Sequence, residues 1–201
     1  ICHEHLEFYS LAVLEKIAGM ADMKLFKISF NDINGGSIRC YATHKENGLY
    51  YSKENHHFMN EIRQKEFDLE LDTDKPYVAF QYRIEKVKNE LHDLLVKLKK
   101  EGKKVHIYGA STKGNTILQW CDINNMLVDY AAERNPDKYG AYTLGTNIPI
   151  ISEADSRAMN PDYYLVLPWH FKEEFLEREK EALEKGTGFI FPIPTIDIYK
   201  K

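Results

Sequence analysis

Val105-His106-Ile107-Tyr108-Gly109-Ala110-Ser111-Thr112-Lys113-Gly114-Asn115-Thr116 is the stretch on which the fold turns. Residues 105–108 read as a short buried strand, Gly109 ends it in a tight turn, and residues 115–121 read as a helix. A strand that passes to a helix through such a turn belongs to an open α/β sheet. The turn then lies at the carboxyl edge of the sheet, where backbone N–H groups and the helix dipole face an anion.

The pattern continues on both sides. Downstream, Val128-Asp129-Tyr130-Ala131-Ala132 predicts a second strand and Ile148-Pro149-Ile150-Ile151 a third. Ser152, with Asp155 three residues on, opens a short helix. A strand over 163–167, a charged helix over 171–185 closed by Gly186, and a last strand Phe189-Ile190-Phe191 complete the series. Upstream, Ile84, Val87, Leu91, Leu94, Leu95 and Leu98 form a helical stripe with Lys97, Lys99 and Lys100 near its end. The alternation predicts an α/β fold with a doubly wound, mostly parallel sheet.

Ahead of that stripe, residues 10–21 predict a helix behind Ser10 as N-cap. Met23 to Phe30 and Ser37 to Ala42 predict two strands joined by the turn Asn31-Asp32-Ile33-Asn34-Gly35-Gly36. Residues 44–81 are polar and irregular, with scattered Tyr50, Tyr51, Phe58 and Phe67. They read as a connector with short helical pieces.

Composition narrows the classes of partner. The 201 residues carry 27 basic and 31 acidic side chains, a formal charge of -4, so there is no global basic field for nucleic acid or an anionic membrane. A hydrophobic share of 43%, with 13 Tyr, 10 Phe and 2 Trp, supports a packed core and argues against disorder. Cys2, Cys40 and Cys121 form no C-x-x-C pair, which excludes a disulfide framework and a four-cysteine zinc site and fits a reducing cytoplasm. No apolar run reaches the roughly 20 residues that span a bilayer. The first residue is Ile1 rather than Met, as expected of a piece of a longer protein.

Two familiar phosphate motifs fail on spacing. Gly109 and Gly114 have the separation of the Walker form, but Asn115 stands where its lysine belongs, and Lys113 lies on the other side of Gly114. In the dinucleotide form the middle glycine's place is held by Ser111, whose side chain obstructs close approach of a pyrophosphate. NTPase chemistry and ordinary NAD use are disfavoured. Anion binding by Ser111, Thr112 and Lys113 and a plain βα turn bent by Gly109 both remain, the added donors favouring the first.

After the second strand comes Glu133-Arg134-Asn135-Pro136-Asp137-Lys138. An acid here takes ribose hydroxyls in many nucleotide-binding folds, and Arg134 and Lys138 suit phosphate or a base edge; a solvated charged loop is the alternative. Cys2-His3-Glu4-His5 offers proton-transfer groups, because an imidazole with a pKa of about 6.5 accepts a proton near neutrality. In an extended segment His3 and His5 share a face and Glu4 points away, which leaves a zinc site short of ligands. No metal site is expected. A partly exposed strand end accounts for that pair, and the same plain reading covers His56-His57 and His170.

Several of these stretches, taken in order, resemble one family: Cys2-His3-Glu4-His5-Leu6-Glu7-Phe8-Tyr9-Ser10, Asn34-Gly35-Gly36-Ser37-Ile38-Arg39, Tyr108 to Thr116, Glu133 to Gly140, and Gly145-Thr146-Asn147-Ile148-Pro149-Ile150. Over nearly its whole length the chain is similar to the C-terminal part of the S-adenosylmethionine-dependent sugar C-methyltransferases. These alkylate a carbon beside the keto group of a nucleotide-linked deoxysugar. The resemblance implies an N-terminal zinc-binding piece and a central methyltransferase domain, whose cofactor motif and cysteines are missing from this sequence, followed by a Rossmann-like C-terminal domain that holds the sugar nucleotide. Residues 1–83 then correspond to the last helix and strand pair of the methyltransferase domain plus a connector, and 84–201 to the C-terminal domain.

By the same resemblance His5 matches the family's general base and Glu4 its neighbouring acid. Ser111, Lys113 and Asn115 match residues around the nucleotide diphosphate, with Arg134 near the nucleotide; Glu133 joins them as a substrate-binding candidate on its position after the second strand. Family members usually carry a tyrosine two residues before the glutamate; here the residue is Cys2. S-adenosylmethionine is expected in the full-length enzyme and not on this fragment. The implied partner is a nucleotide-linked sugar, with neither nucleic acid nor membrane, in the cytoplasm. A nucleotide or nucleotide-sugar binding module without transferase activity is the alternative from another class.

Overall fold

The fold is described from a computed structural model covering residues 7–32 and 36–201. The chain divides into two compact units, Glu7–Gln81 and Tyr82–Lys201.

In the first unit, helix α1 (Leu11–Met20) starts behind Ser10, whose hydroxyl accepts the Val13 N–H. Helix α2 (Lys53–Asp68) supplies a second cap: the Glu66 carboxylate accepts the N–H groups of Leu11 and Ala12. Otherwise unpaired donors are met, and a negative charge lies at the positive end of the helix dipole. One turn earlier on α2, Arg63 grips both carboxylate oxygens of Glu15. Strands β1 (Met23–Asn31) and β2 (Ser37–His44) pair antiparallel, Met23 opposite His44 at one end and Asn31 opposite Ser37 at the other. Leu11, Ile28, Met59 and Ile62 form the buried core between these elements.

Residues 44–81 depart from the expected connector. They contain the 16 residues of α2 and the start of α3 (Lys75–Lys100), which begins well ahead of the stripe at Ile84. Only Met59 and Ile62 of α2 are buried, too thin an apolar pattern to register as a helical face. What holds α2 is the N-cap at Ser52 and the ties of Arg63 and Glu66 to α1, none of which periodicity reveals. The Asp74 carbonyl receives the Tyr77 and Val78 N–H groups, and Pro76 in the first turn of α3 needs no N–H partner.

The second unit is a six-stranded sheet of β3 (Val105–Tyr108), β4 (Tyr130–Glu133), β5 (Ile150–Ser152), β6 (Tyr163–Val166), β7 (Gly188–Phe191) and β8 (Asp197–Tyr199). Its spatial order is β5-β4-β3-β6-β7-β8, parallel from β5 to β7, with β8 antiparallel on the edge. The chain runs one way from β3 to β5 and then crosses back to β6. The order therefore reverses between β3 and β6, as in a doubly wound Rossmann-like sheet.

Alternating strand residues serve two cores. Val105, Ile107, Ala131, Leu165 and Ile190 face Leu91, Leu95 and Leu98 of α3 and Ile117 and Leu118 of α4 (Thr112–Trp120). Tyr108, Ala132, Tyr164, Val166, Phe189 and Phe191 pack with Phe175 of α6 (Lys172–Arg178) and Leu183 of α7 (Lys180–Glu184). Helix α5 (Glu153–Ala158) opens at Ser152, which bonds reciprocally with Asp155 as its spacing predicts.

Other boundaries move, among them the strand expected at 148–151, which lies at Ile150–Ser152. Helix α4 begins at Thr112 rather than 115, because Ser111 caps it, and the strand expected at 128–132 is displaced to Tyr130–Glu133. The helix expected over 171–185 is cut into α6 and α7 at Glu179, whose backbone leaves the helical region (φ -101°, ψ 25°). Glu179 is buried, and its carboxylate accepts the Tyr108 hydroxyl at 2.7 Å and two Arg157 guanidinium N–H groups at 2.6 and 3.0 Å. Strand β8 was not signalled, since all three of its residues are exposed.

Two glycines are required by close approach. Gly109 has φ of +87°, and a Cβ there would lie 3.0 Å from Pro168 Cγ. A Cβ on Gly114 would lie 2.6 Å from Leu167 Cδ1 and 3.0 Å from Leu167 Cβ. Gly114→Ala therefore overpacks a closed contact and is expected to destabilise the chain by about 1 to 3 kcal/mol, read by urea denaturation.

His106 is the polar member of β3 and is buried, its Nδ1 2.8 Å from the Ser156 hydroxyl, which in turn lies 2.9 Å from the Tyr164 hydroxyl. Burial pushes its pKa down to about 4, against the opposing pull of Asp129 and with help from Lys104. The folded state thus refuses a proton that the unfolded chain accepts below its ordinary value of about 6.5. The stabilisation is complete above that value and is lost as pH falls from about 6.5 to about 4, by up to about 3 kcal/mol. Urea titrations at pH 7.5 and 4.5 should show this loss, and His106→Gln should reduce it; an unchanged pH dependence in the variant would contradict the assignment.

Candidate functional site

The topology places the candidate site at the carboxyl ends of β3 and β6, where the strand order reverses. One wall is the turn from Gly109 to Ser111 and the first turn of α4. The other is Leu167, Pro168 and the 3-10 turn Trp169–Phe171. The Gly109–Pro168 and Gly114–Leu167 contacts hold the two walls together.

Ser111 is the N-cap of α4, with extended backbone (φ -94°, ψ 159°) and its Oγ accepting the Gly114 N–H at 3.1 Å. Lys113 follows on the first turn and has no hydrogen-bond or ion-pair partner among the described residues. Its charge reaches His170: burial first, and then Lys113, hold the His170 imidazole below its usual pKa. An uncompensated ammonium and the positive end of a helix dipole therefore lie on one side of the crevice, beside a neutral imidazole. Asn115 leaves one buried amide atom, Oδ1, without a hydrogen-bond partner, a group that folded proteins ordinarily satisfy.

Glu133 ends β4 next to the turn. One carboxylate oxygen accepts the Ala110 N–H at 3.1 Å and the Lys138 ammonium at 3.2 Å, and the other accepts the N–H groups of Arg134 and Asn135 at 2.8 and 3.1 Å. Burial works against its ionisation, but the Asn135 and Arg134 N–H groups and Lys138 outweigh it and hold the carboxyl below its usual pKa. Arg134 is exposed, and its guanidinium has no partner among the described residues.

Ser111, Lys113, Asn115, Glu133 and Arg134 are thus distributed over the start of α4 and the end of the adjacent strand β4 with its following loop, at one sheet edge. Cys2, His3, Glu4 and His5 lie outside the described residues. His170, a plain histidine by sequence because an isolated one carries no pattern, lies in the 3-10 turn that follows the strand bordering the reversal, and that position is the signal that singles it out. Among the described residues no three His, Cys, Asp or Glu side chains converge as metal ligands, and no helix is long and apolar enough to cross a membrane.

The chain is similar to the C-methyltransferase NovU of Streptomyces niveus, 30% identical over 194 residues that cover 96% of this chain and 45% of the relative. It spans less than half the length of that protein. The family model for the C-methyltransferase C-terminal domain matches residues 32–194, a span that takes in β2, the connecting helices and the doubly wound sheet up to the end of β7, and by that match the chain belongs to this family.

Proposed function

We propose that this chain is the C-terminal part of an S-adenosylmethionine-dependent C-methyltransferase acting on a nucleotide-linked keto-deoxysugar, and that it holds the sugar nucleotide. Residues 84–201 act as the substrate-binding domain. Residues 1–83 correspond to the last helix and strand pair of the methyltransferase domain and a connector. The observation that carries the reading is Lys113, an unpaired cation on the first turn of α4 at the point where the strand order reverses. A diphosphate needs that combination of fixed positive charge and helix N-terminal N–H groups.

Lys113 and the N–H groups around Ser111 bind the diphosphate, Asn115 completes its hydrogen bonding with a group of the nucleotide, and Arg134 reaches the nucleotide from the second turn. S-adenosylmethionine supplies an electrophilic methyl group when bound to the whole enzyme. The second unit does not fit that cofactor: Ser111 replaces the glycine that admits close approach, and the four donors on Glu133 occupy the oxygens a ribose would use. The chemical contribution of this chain is therefore proton removal. His5 takes the proton from the carbon beside the ketone, and the electron pair left behind forms the enolate that is alkylated. Glu4 supports the imidazolium that results.

Lys113→Ala should weaken binding of a nucleoside diphosphate by about 1 to 3 kcal/mol in calorimetric titration. Unchanged affinity would assign the turn to structure alone.

In the full-length protein, His5→Asn should leave sugar-nucleotide affinity nearly unchanged and slow the chemical step by about 10²- to 10⁴-fold. Exchange of the substrate's carbon-bound proton with deuterated solvent should slow in parallel. A mutant that exchanges at the wild-type rate removes His5 from the role of base.

A further inference from the structure

We infer that Glu133 and Lys138 are positioning residues that clip the diphosphate turn in place, and that neither binds the nucleotide. The inference rests on the reading of that turn as a diphosphate site.

Ala110 sits between the end of β3 and the N-cap of α4, and it is buried, so solvent is a poor partner for its peptide groups. The clip meets both. Glu133 accepts the Ala110 N–H at 3.1 Å, and the Lys138 ammonium donates to the Ala110 carbonyl at 2.9 Å. The two side chains also pair with each other at 3.2 Å, which fixes the length of the clip. The adjoining residue is held as well, through Gly109 N–H to the Ala132 carbonyl at 2.9 Å. The direction in which α4 leaves the sheet, and with it the place of Lys113, is thereby set from β4.

A carboxylate offers about four acceptor sites, and those of Glu133 are taken by Ala110, Lys138, Arg134 and Asn135. A ribose hydroxyl would have to displace one of them. The same carboxylate holds the Arg134 backbone, so one residue orders both cationic arms of the site, Lys113 through Ala110 and Arg134 directly.

The test compares wild type with Glu133→Gln, Lys138→Met and Lys138→Arg in calorimetric titrations with uridine diphosphate, 2′-deoxyuridine diphosphate and inorganic pyrophosphate. Amide hydrogen exchange is measured alongside on the ligand-free chain. A clip predicts that Glu133→Gln and Lys138→Met each weaken all three probes by a similar factor, about 5- to 50-fold. Lys138→Arg should recover most of the loss, and exchange should quicken over residues 109–114 while β6 and β7 keep their protection. Loss confined to uridine diphosphate in Glu133→Gln would make Glu133 a ribose ligand and overturn the inference, as would wild-type affinity for all three probes in both disruptive variants. If wild type binds none of the probes, the diphosphate reading fails; unchanged exchange over 109–114 in the variants would then overturn the clip, and faster local exchange would uphold it as a restraint on the turn.

Discussion

The second unit depends on how closely the β3–α4 turn approaches the end of β6. With side chains at positions 109 and 114, Pro168 and Leu167 would be pushed away, and the crevice at the reversal of strand order would widen. Absence of a Cβ lets the first turn of α4 lie against Leu167, which is itself buried. The two glycines that resemble a phosphate motif are thus explained by packing between strand and helix. Phosphate chemistry, where it enters, comes from what is displayed around them: the cap at Ser111, the cation at Lys113 and the amide at Asn115. The same glycine spacing would accompany a purely structural turn, so the unpaired charge carries more weight than the motif.

The opposite face of the sheet is organised by a polar network of unusual depth. Tyr108 donates to Glu179 and accepts from Arg157 and Arg178, each at 2.8 Å, while Glu153 accepts from Arg157 at 2.8 Å. The Arg178 guanidinium also lies over the rings of Tyr108 and Phe175. Burial first, then the hydrogen bond with Glu179, raise the Tyr108 pKa, so its phenol stays protonated. Two arginines and two glutamates share the site and no net charge is left in it. Such a network adds less stability than its many bonds suggest, because each ion has lost water, but it fixes one arrangement by making any unpaired alternative costly. It joins Tyr108, the last residue of β3 and the one before the Gly109 turn, to α5 and to the break between α6 and α7.

Both the legible and the illegible parts of the sequence follow from this division. Local periodicity reveals the buried strands, because β3, β6 and β7 are buried on both faces and alternate between two cores, and it misses the exposed β8. Caps with short-range spacing, such as Ser152 with Asp155, were equally readable. What local pattern missed was held by distant partners. Helix α2 buries two residues and relies on Glu66 and Arg63 reaching α1, across more than 45 positions of sequence. The break at Glu179 answers to Tyr108, 71 residues away. At the site, Ser111, Lys113 and Arg134 could be named from position and chemistry, but the partners of Glu133 could not, since the Ala110 N–H that it accepts lies 23 residues upstream.

Charge at the site illustrates why overall composition is a weak guide to a ligand. The chain is acidic by four charges, yet most cations near the candidate crevice differ in availability and not in number. Lys138 is neutralised by Glu133, whereas Lys113 and Arg134 are paired with no carboxylate among the described residues. His170 stays neutral partly because Lys113 is positive, so the imidazole adds a hydrogen-bonding group without adding repulsion. On the proposed reading a diphosphate would meet Lys113 and its nucleotide Arg134, both ordered by a single carboxylate that is already saturated. A cation with no carboxylate to neutralise it loses less on meeting an anion than a bridged one loses by breaking its ion pair, so Lys113 and Arg134 are better disposed toward an anion than Lys138 is.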